Sequence, residues 1–517
     1  MTIFFPPPRG LDVDIWADEQ IWGHRLHDEQ TPWLTFLEFL TILNAHRDRP
    51  LQGYQSSAER LRYRAQQQRR LRHVVFNSPE IADLAAQVGL SSAEKWKRWR
   101  SGMDQRKGVS EDSAQHWMNI EARLGDFGQL AKLVEFLRRT SVPGLTSKRW
   151  TTRFTYPFGP EALYEDLRWD PKEGSFGTDR LFFARTGELL YLMLCRSKFA
   201  AELGPRLVKT LLEASSPCAG LVAILQGPTE LGPEVPREGG TLPYDHLPVF
   251  DRLAQDWIAL LDRDLPALDV LPHLVTITSL HLLRYFLEQA TSELGDDRPL
   301  FALELNVSRR SPMREASTTT YDRNQNVPWR AVEHLLGRVV QLEEWKDAIQ
   351  RNASREDFIS ILRKSFLWPS KKREAQISSS ASPQELLEML TDDARDRHRG
   401  HVGKIHGAWA REIGLASRRG SRQYRYAPTD RFLKTLVLTR VSQRMELKSL
   451  LADWYDRYGI LISSQGHATP GQLDDVTDTA AYEDNMGNLE DRLTSLGLAE
   501  RLSDQCAYVR HAVKDDV

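Results

Sequence analysis

The stretch 272–290 of this chain, PHLVTITSLHLLRYFLEQA, limits the possible folds more than any other segment. Its apolar side chains fall on several faces of a helix rather than on one stripe, so such a helix has to be enclosed by other elements. No uncharged apolar run in the chain approaches the ~18 to 20 residues that cross a bilayer. We therefore expect a buried central helix in a soluble, mainly α-helical protein.

Helix-start signals recur along the chain, whereas strand signals are short and scattered. Thr31 and Pro32 suit the N-cap and first turn of a helix whose apolar residues follow at helical spacing. The three cysteines, Cys195, Cys218 and Cys506, lie far apart, which excludes a disulfide framework or a CxxC zinc site. Because residues 1–10 lack a signal-peptide pattern, we expect a reducing cytoplasm.

The length of 517 residues predicts several domains. The segment 369–383 has a basic start, a serine run and no apolar periodicity, and it marks the main boundary. We expect a helical N-terminal region with a basic surface (1–145), a central mainly helical core domain (146–368), a linker with a basic Arg/His/Gly-rich segment (369–427) and a C-terminal module (428–517).

The C-terminal module has the most specific pattern. After Pro428 the pattern predicts helix, helix, short strand, helix and a terminal hairpin, with Gly497 ending the last helix. This order resembles the winged-helix fold, an α+β arrangement, over roughly the last ninety residues. The resemblance implies that the third helix enters the major groove of DNA.

The charges of that third helix oppose groove binding. The module carries ten basic against fifteen acidic residues, and its third helix carries Glu483, Asp484, Glu490 and Asp491 against Arg492. Because phosphates repel carboxylates, we expect these four acids to bind a protein partner. DNA contact through the hairpin and a purely structural cap remain alternatives.

Two segments are strongly basic. Residues 60–107 hold twelve basic against four acidic residues, and residues 394–426 hold nine against two, with aromatic residues interleaved in both. Such segments suit contact with nucleic-acid phosphates, although arginine stems also cover apolar surface and the second segment could pair with the acidic module. The expected nucleic-acid-binding residues are Arg60, Arg64, Arg69, Arg70, Lys97, Arg98, Arg395, Arg397, Arg399, Lys404, Arg418, Arg419 and Arg422.

No complete catalytic motif is present. The sequence lacks a phosphate-binding GxxxxGK[ST] loop, a GxSxG elbow and an HExxH helix. Glu304 and Asn306 could form part of a nuclease carboxylate set, but no further carboxylates and lysine stand at close spacing. His398, His401 and His406 lie among arginines that would repel a metal ion. We therefore expect no catalytic residues, no metal and no cofactor.

These patterns favour a non-catalytic, nucleic-acid-associated scaffold or adaptor subunit of a larger bacterial complex, of the kind found in anti-phage defence or DNA processing. It would bind nucleic acid, with DNA favoured, without sequence preference, and a protein such as an ATPase or nuclease subunit, but no membrane. The alternatives are a metal-dependent nuclease of unfamiliar motif and a winged-helix transcriptional regulator.

Overall fold

A computed structural model describes residues 15–27, 30–64, 70–105, 113–142, 153–156, 158–163, 167–170, 175–178, 185–213, 217–227, 236–305, 311–418, 422–463, 479–503 and 506–510. These residues are mainly helical with a few short strands, so the expected mainly helical class is confirmed. The sites expected at Arg69 and Arg419 and the nuclease candidate Asn306 lie outside the described residues.

The α-helices are numbered along the chain. They are α1 (Ala17–Trp22), α2 (Pro32–Ala45), α3 (Arg70–Phe76), α4 (Glu80–Ala86), α5 (Ser92–Asp104), α6 (Ser113–Leu124), α7 (Phe127–Arg139), α8 (Thr186–Cys195), α9 (Ala200–Leu207), α10 (Pro217–Gln226), α11 (Pro248–Leu261), α12 (Ala267–Leu294), α13 (Pro312–Gly337), α14 (Glu343–Gln350), α15 (Arg355–Phe366), α16 (Lys371–Glu374), α17 (Pro383–Gly400), α18 (Val402–Glu412), α19 (Asp430–Arg440), α20 (Leu447–Tyr458) and α21 (Thr479–Ser495).

The strands are short and form small sheets. They are β1 (Arg62–Tyr63), β2 (Leu167–Asp170), β3 (Ser175–Thr178), β4 (Arg237–Glu238), β5 (Phe301–Ala302), β6 (Met445–Glu446), β7 (Ile460–Leu461), β8 (Ala499–Ser503) and β9 (Cys506–Val509). The pairs β1–β4 and β2–β3 are antiparallel, β5–β7 is parallel, and β6, β9 and β8 form an antiparallel sheet in that order.

The chain forms two compact units whose bounds differ from the four expected segments. Unit one contains residues 1–28, 247–263 and 272–517, and unit two contains residues 29–246 and 264–271. The expected linker at 369–427 includes α16, α17 and α18. Helix α17 begins with a capping box, in which Ser382 and Glu385 satisfy each other's backbone N–H groups, and with Pro383 in its first turn.

Helix α12 is the buried central helix that the apolar stretch 272–290 predicts. The segment Leu268–Leu294 is long and apolar enough to cross a membrane, but 94% of its apolar window is buried inside the protein. In unit one the indole of Trp22 on α1 donates to the carbonyl of Phe286 at 2.9 Å, and the hydroxyl of Tyr285 donates back to the carbonyl of Trp22 at 2.8 Å. This burial is compatible with a soluble protein.

Unit two contains a helical bundle around tryptophan side chains. Trp96, Trp99, Trp117 and Phe127 are almost fully buried in a core to which α3, α4, α5, α6, α7 and α10 contribute. The indole rings of Trp99 and Trp117 meet edge to face, with centroids 5.6 Å apart. In the same unit Thr31 caps α2 as expected, its hydroxyl accepting the N–H of Leu34 at 3.3 Å.

Residues 428–517 share their packing with an earlier part of unit one. The strand β7 pairs with β5, and Tyr455, Leu461 and Tyr482 lie in one core with Leu300 and Met313. The amide of Asn485 on α21 donates to the carbonyls of Leu303 and Ile462, both at 2.9 Å, and accepts the N–H of Leu305 at 2.8 Å. A C-terminal segment cut at residue 428 would therefore expose apolar surface.

Candidate nucleic-acid interface

The basic residues 60–72 lie mostly against acidic or buried surroundings. Arg60 and Arg62 both pair with Glu238 across the β1–β4 ladder, at 3.3 and 3.2 Å. Arg64 is exposed, and Arg70 is half-buried at the start of α3. Exposed ion pairs of this kind reduce the net positive charge that a phosphate would meet.

Lys97 and Arg98 are neighbouring exposed residues on α5. We call them the α5 cation pair. Helix α5 follows α4 after a short turn, 87–91, that contains Gly89, and both helices pack against α7. Two consecutive helices joined by a short turn occur in helix-turn-helix motifs and also in other helical folds.

The opposite face of α5 is anchored in the tryptophan core of unit two. Trp96 and Trp99 are buried, and the indole of Trp96 donates to the carbonyl of Gly125 at 2.9 Å. The hydroxyl of Ser92 accepts the N–H of Phe127 at 2.8 Å. The α5 cation pair is thus held on a helix whose rotation and position are fixed.

The remaining charges of α5 are largely engaged within unit two. Hydrogen bonds from Ser91 lower the pKa of Glu94, in a capping box that begins the helix. Arg100 pairs with Glu121 at 3.3 Å. Lys95 donates to the carbonyl of Ala85 at 3.0 Å. Glu94 also interacts electrostatically with Arg98, and both Glu94 and Asp104 are exposed, so α5 presents two exposed cations and two exposed acids.

The basic residues of α17 point to different sides. Arg395 lies 3.2 Å from Glu333, and its guanidinium stands over the ring of Trp329, 5.1 Å from the centroid. Arg397 donates to the carbonyl of Ile15 at 2.9 Å. Residues two positions apart are separated by roughly 200° around a helix. Arg395 and Arg397 are therefore close in sequence but do not belong to one basic surface.

Three further expected residues, Arg399, Lys404 and Arg422, are exposed in unit one. Lys404 donates to the carbonyl of Gly400 at 3.1 Å, so its ammonium lies near the end of α17. The exposed side chains of Arg399 and Arg422 are accessible to phosphates.

The last expected residue, Arg418, belongs to an arginine–tyrosine stack. Its guanidinium lies 3.9 Å from the ring centroid of Tyr424, and that of Arg411 lies 4.6 Å from the same centroid. The rings of Tyr424 and Tyr321 are 5.9 Å apart and inclined by 30°. Both arginines are exposed and Tyr424 is half-buried, so a planar group with a negative charge could approach this stack.

His398 lies on α17 and His406 on α18, and both side chains are buried. Burial lowers the pKa of His398 and of His406 to about 4. The Nε2 atom of His406 lies 2.8 Å from the hydroxyl of Tyr426. Among the described residues no three His, Cys, Asp or Glu side chains converge as metal ligands.

Glu304, the nuclease candidate, is held by arginines. Its side chain is 3% exposed, it accepts a 2.9 Å hydrogen bond from Nε of Arg314, and it forms a second ion pair with the buried Arg425. Two guanidiniums would repel a divalent cation from this carboxylate. Glu304 is therefore a structural ion-pair partner in unit one.

The acids of α21 divide into two groups. Glu483 and Asp484 are exposed at the beginning of the helix. Near its end, Glu490 pairs with Arg501 of β8, and the exposed Asp491 lies 3.9 Å from the same arginine. The first group keeps its charge available to a partner.

Two features of this interface were not predicted from the sequence. The turn between α4 and α5 was missed, although Ser91 and Glu94 form a recognisable capping box. The contribution of Arg411 was missed because its stacking partner Tyr424 lies across a turn. Comparisons with protein-family models, curated proteins and solved structures give no match for this chain.

Proposed function

We propose that this protein binds nucleic acid without catalysing a reaction on it, and that α5 supplies its main contact with duplex DNA. The α5 cation pair carries this proposal, because Lys97 and Arg98 are exposed on the second of two consecutive helices that are joined by a short turn. The major groove admits an α-helix, and lysine and arginine at its edge neutralise phosphates. The tryptophan core supports the proposal by fixing α5 in position.

The arginine–tyrosine stack of unit one would add a second contact. Arg411 and Arg418, both close to the ring of Tyr424, combine charge with an aromatic side chain, which suits a phosphate next to an unpaired base. The exposed Arg399 and Arg422 add positive charge to unit one. Contacts of this kind are insensitive to base sequence, so they agree with the expected lack of sequence preference.

For residues 428–517 we propose a winged-helix-like module that docks a protein. The order α19, β6, α20, α21, β8, β9 and the sheet order β6–β9–β8 support this assignment. The exposed Glu483 and Asp484 on α21 would repel phosphates and attract a basic partner. With both surfaces, the chain would serve as an adaptor in a bacterial DNA-processing or anti-phage complex, beside an ATPase or nuclease subunit in the cytoplasm.

Fluorescence anisotropy with a labelled duplex tests the DNA contact. The full chain should bind, and its affinity should fall steeply as salt rises from roughly 50 to 200 mM. The double substitution Lys97→Ala and Arg98→Ala should weaken binding and reduce the slope of log affinity against log salt by about 2, since each phosphate contact contributes ~0.9.

The matched control removes two charges from another helical region of unit two, through Arg206→Ala and Lys209→Ala. Its affinity and salt slope should match the wild type. Equal affinity of all three proteins for the duplex would refute the proposed role of α5. An equal loss of affinity in both variants would show that binding depends on the net charge of the protein and not on α5.

Charge reversal tests the docking helix. A protein that co-purifies with the full chain from its host should be lost with Glu483→Lys and Asp484→Lys, and retained with Glu343→Lys and Glu344→Lys on α14. DNA affinity of the α21 variant should not fall. Retention of every co-purifying protein by the α21 variant would contradict the docking proposal.

A further inference from the structure

A cavity of about 650 Å³ lies within unit one, apart from the surfaces described above. Its walls come from the chain after α1, from the segment around α16, and from one face of α17 and the residue that follows it. The basic side chains that line the cavity are Arg25, His27, Lys372, Arg373, Arg397 and His401. Four of these side chains, which come from distant parts of the chain, carry a permanent positive charge.

Hydrogen bonds to neighbouring protein groups hold three of the guanidiniums in place. Nε of Arg25 donates to Glu19 at 3.0 Å, and Nε of Arg373 donates to Asp393 at 2.8 Å. Arg397 is anchored by its bond to the carbonyl of Ile15. Nη2 of Arg25 is buried and makes no hydrogen bond with the described residues. Arginines fixed in this way lose little side-chain entropy when they bind an anion.

Two acids behind the cavity leave hydrogen-bonding capacity unused. Asp18 and Glu19 are 5% and 8% exposed, and among the described residues Oδ2 of Asp18 and Oε2 of Glu19 have no hydrogen-bond partner. Burial raises the pKa of both carboxyls, against the opposing charge of Arg25 and Arg397.

The cavity wall carries two acids, Asp393 and Asp396, against the four permanent cations. Asp393 already accepts hydrogen bonds from Arg373 and from the indole of Trp368, each at 2.8 Å. Asp396 is exposed. The rings of His27 and His401 meet edge to face with centroids 5.0 Å apart, which adds two imidazoles able to donate or accept. The cavity therefore offers an excess of donors.

We propose that this cavity binds a phosphate monoester of nucleotide size, with Arg25, Lys372 and Arg397 contacting the phosphate. Guanidiniums suit a phosphate because their paired N–H groups match two of its oxygens. A volume of about 650 Å³ lies in the range that encloses a small organic ligand. The same chemistry is offered by a free mononucleotide and by the 5′-phosphate at the end of a nucleic-acid strand.

Isothermal titration calorimetry of the full chain tests the site with four probes: adenosine monophosphate, adenosine, and one short single-stranded oligonucleotide with and without a 5′-phosphate. In each pair the phosphorylated probe should bind on the order of tenfold more tightly, as expected for hydrogen bonds to a charged group. If adenosine monophosphate binds as tightly as the phosphorylated strand, the ligand is a free nucleotide. If the phosphate strengthens binding of the oligonucleotide but not of adenosine, the ligand is the 5′ end of a nucleic-acid strand.

Lys372→Ala and Arg397→Gln should each weaken binding of the phosphorylated probe severalfold. Lys372 is exposed, so its removal leaves the fold intact, and the neighbouring Lys371 on α16 does not line the cavity and provides the matched control. Lys371→Ala should bind like the wild type.

Equal binding of phosphorylated and unphosphorylated probes, or unchanged binding in both Lys372→Ala and Arg397→Gln, would overturn the proposal. The Lys97→Ala and Arg98→Ala protein should bind adenosine monophosphate like the wild type, so failure of the α5 proposal and failure of this one are separable.

Discussion

The carboxylate of Asp256 accepts a 2.7 Å hydrogen bond from Nε2 of His281, and both side chains are almost fully buried in unit one. The hydroxyl of Tyr458 donates to the same carboxylate at 2.7 Å, and the guanidinium of Arg457 lies 2.7 Å from it. Burial alone would raise the pKa of Asp256, but His281 and Arg457 lower it overall. One carboxylate thus joins α11, α12 and α20.

We expect Asp256→Asn to lower the free energy of unfolding by about 3 kcal/mol, because removing one partner of a buried ion pair leaves the other uncompensated. Urea unfolding followed by tryptophan fluorescence measures the change. Asp392→Asn is the control, because that side chain is 74% exposed and its loss should change stability by less than about 0.5 kcal/mol. Equal stability of the two variants would show that the Asp256 network does not stabilise unit one.

The contribution of His398 and His406 to stability should be lost as the pH drops from 6.5 towards 4. The pKa of His398 and of His406 is lowered to about 4 by burial, so in this window the unfolded chain binds protons that the folded chain does not. Each histidine contributes at most about 1.4 kcal/mol per pH unit. Urea midpoints over this window should decline less in His406→Asn than in the wild type, and parallel curves would contradict the assignment.

Gly187→Ala should destabilise unit two by about 1 to 3 kcal/mol through overpacking. A Cβ atom at this position would stand 2.5 Å from Cβ of Glu38 and 2.7 Å from the backbone N of Phe39. Gly220, inside α10, has no atom within 4 Å of an added Cβ, so Gly220→Ala should be neutral or stabilise by up to about 1 kcal/mol. Thermal unfolding of both variants tests the contrast, and similar melting temperatures would refute the close approach of α2 and α8.

Glu304→Gln should destabilise unit one, because Arg314 and Arg425 would keep their charges without a carboxylate between them. The wild type should show no cleavage of DNA or RNA with magnesium or manganese, and neither ion should raise its melting temperature. Metal-dependent cleavage by the wild type that disappears in Glu304→Gln would show that the protein is a nuclease and that Glu304 takes part in cleavage.

Helical periodicity and capping residues predicted the local elements well, because these signals lie within a few residues of one another. Thr31 and Pro32 begin α2 as expected, and the apolar stretch 272–290 lies within α12. The pairing of β5 with β7 joins residues far apart in the chain through two-residue strands, and such short pairings leave no periodic signal.

The basic segments show that basic residues close together in the sequence need not form one basic surface in the fold. Arg395 and Arg397 are near neighbours in the chain, but one meets Glu333 and the other Ile15, because a helix turns successive residues to different sides. The cavity of unit one could not be foreseen for the same reason. Arg25 and Lys372 come together only when α1 and α16 take their places in the fold.

The division of unit one into separate stretches of chain has a consequence for synthesis. Trp22 bonds to Phe286, a residue 264 positions further along the chain. At roughly 5 to 20 residues per second, a ribosome needs on the order of tens of seconds to produce that partner. Nearly all of unit two emerges during this interval and can fold first. During this interval Ile21 and Trp22, which are buried in the folded protein, lack their packing partners, and apolar side chains exposed in this way promote aggregation and attract chaperones.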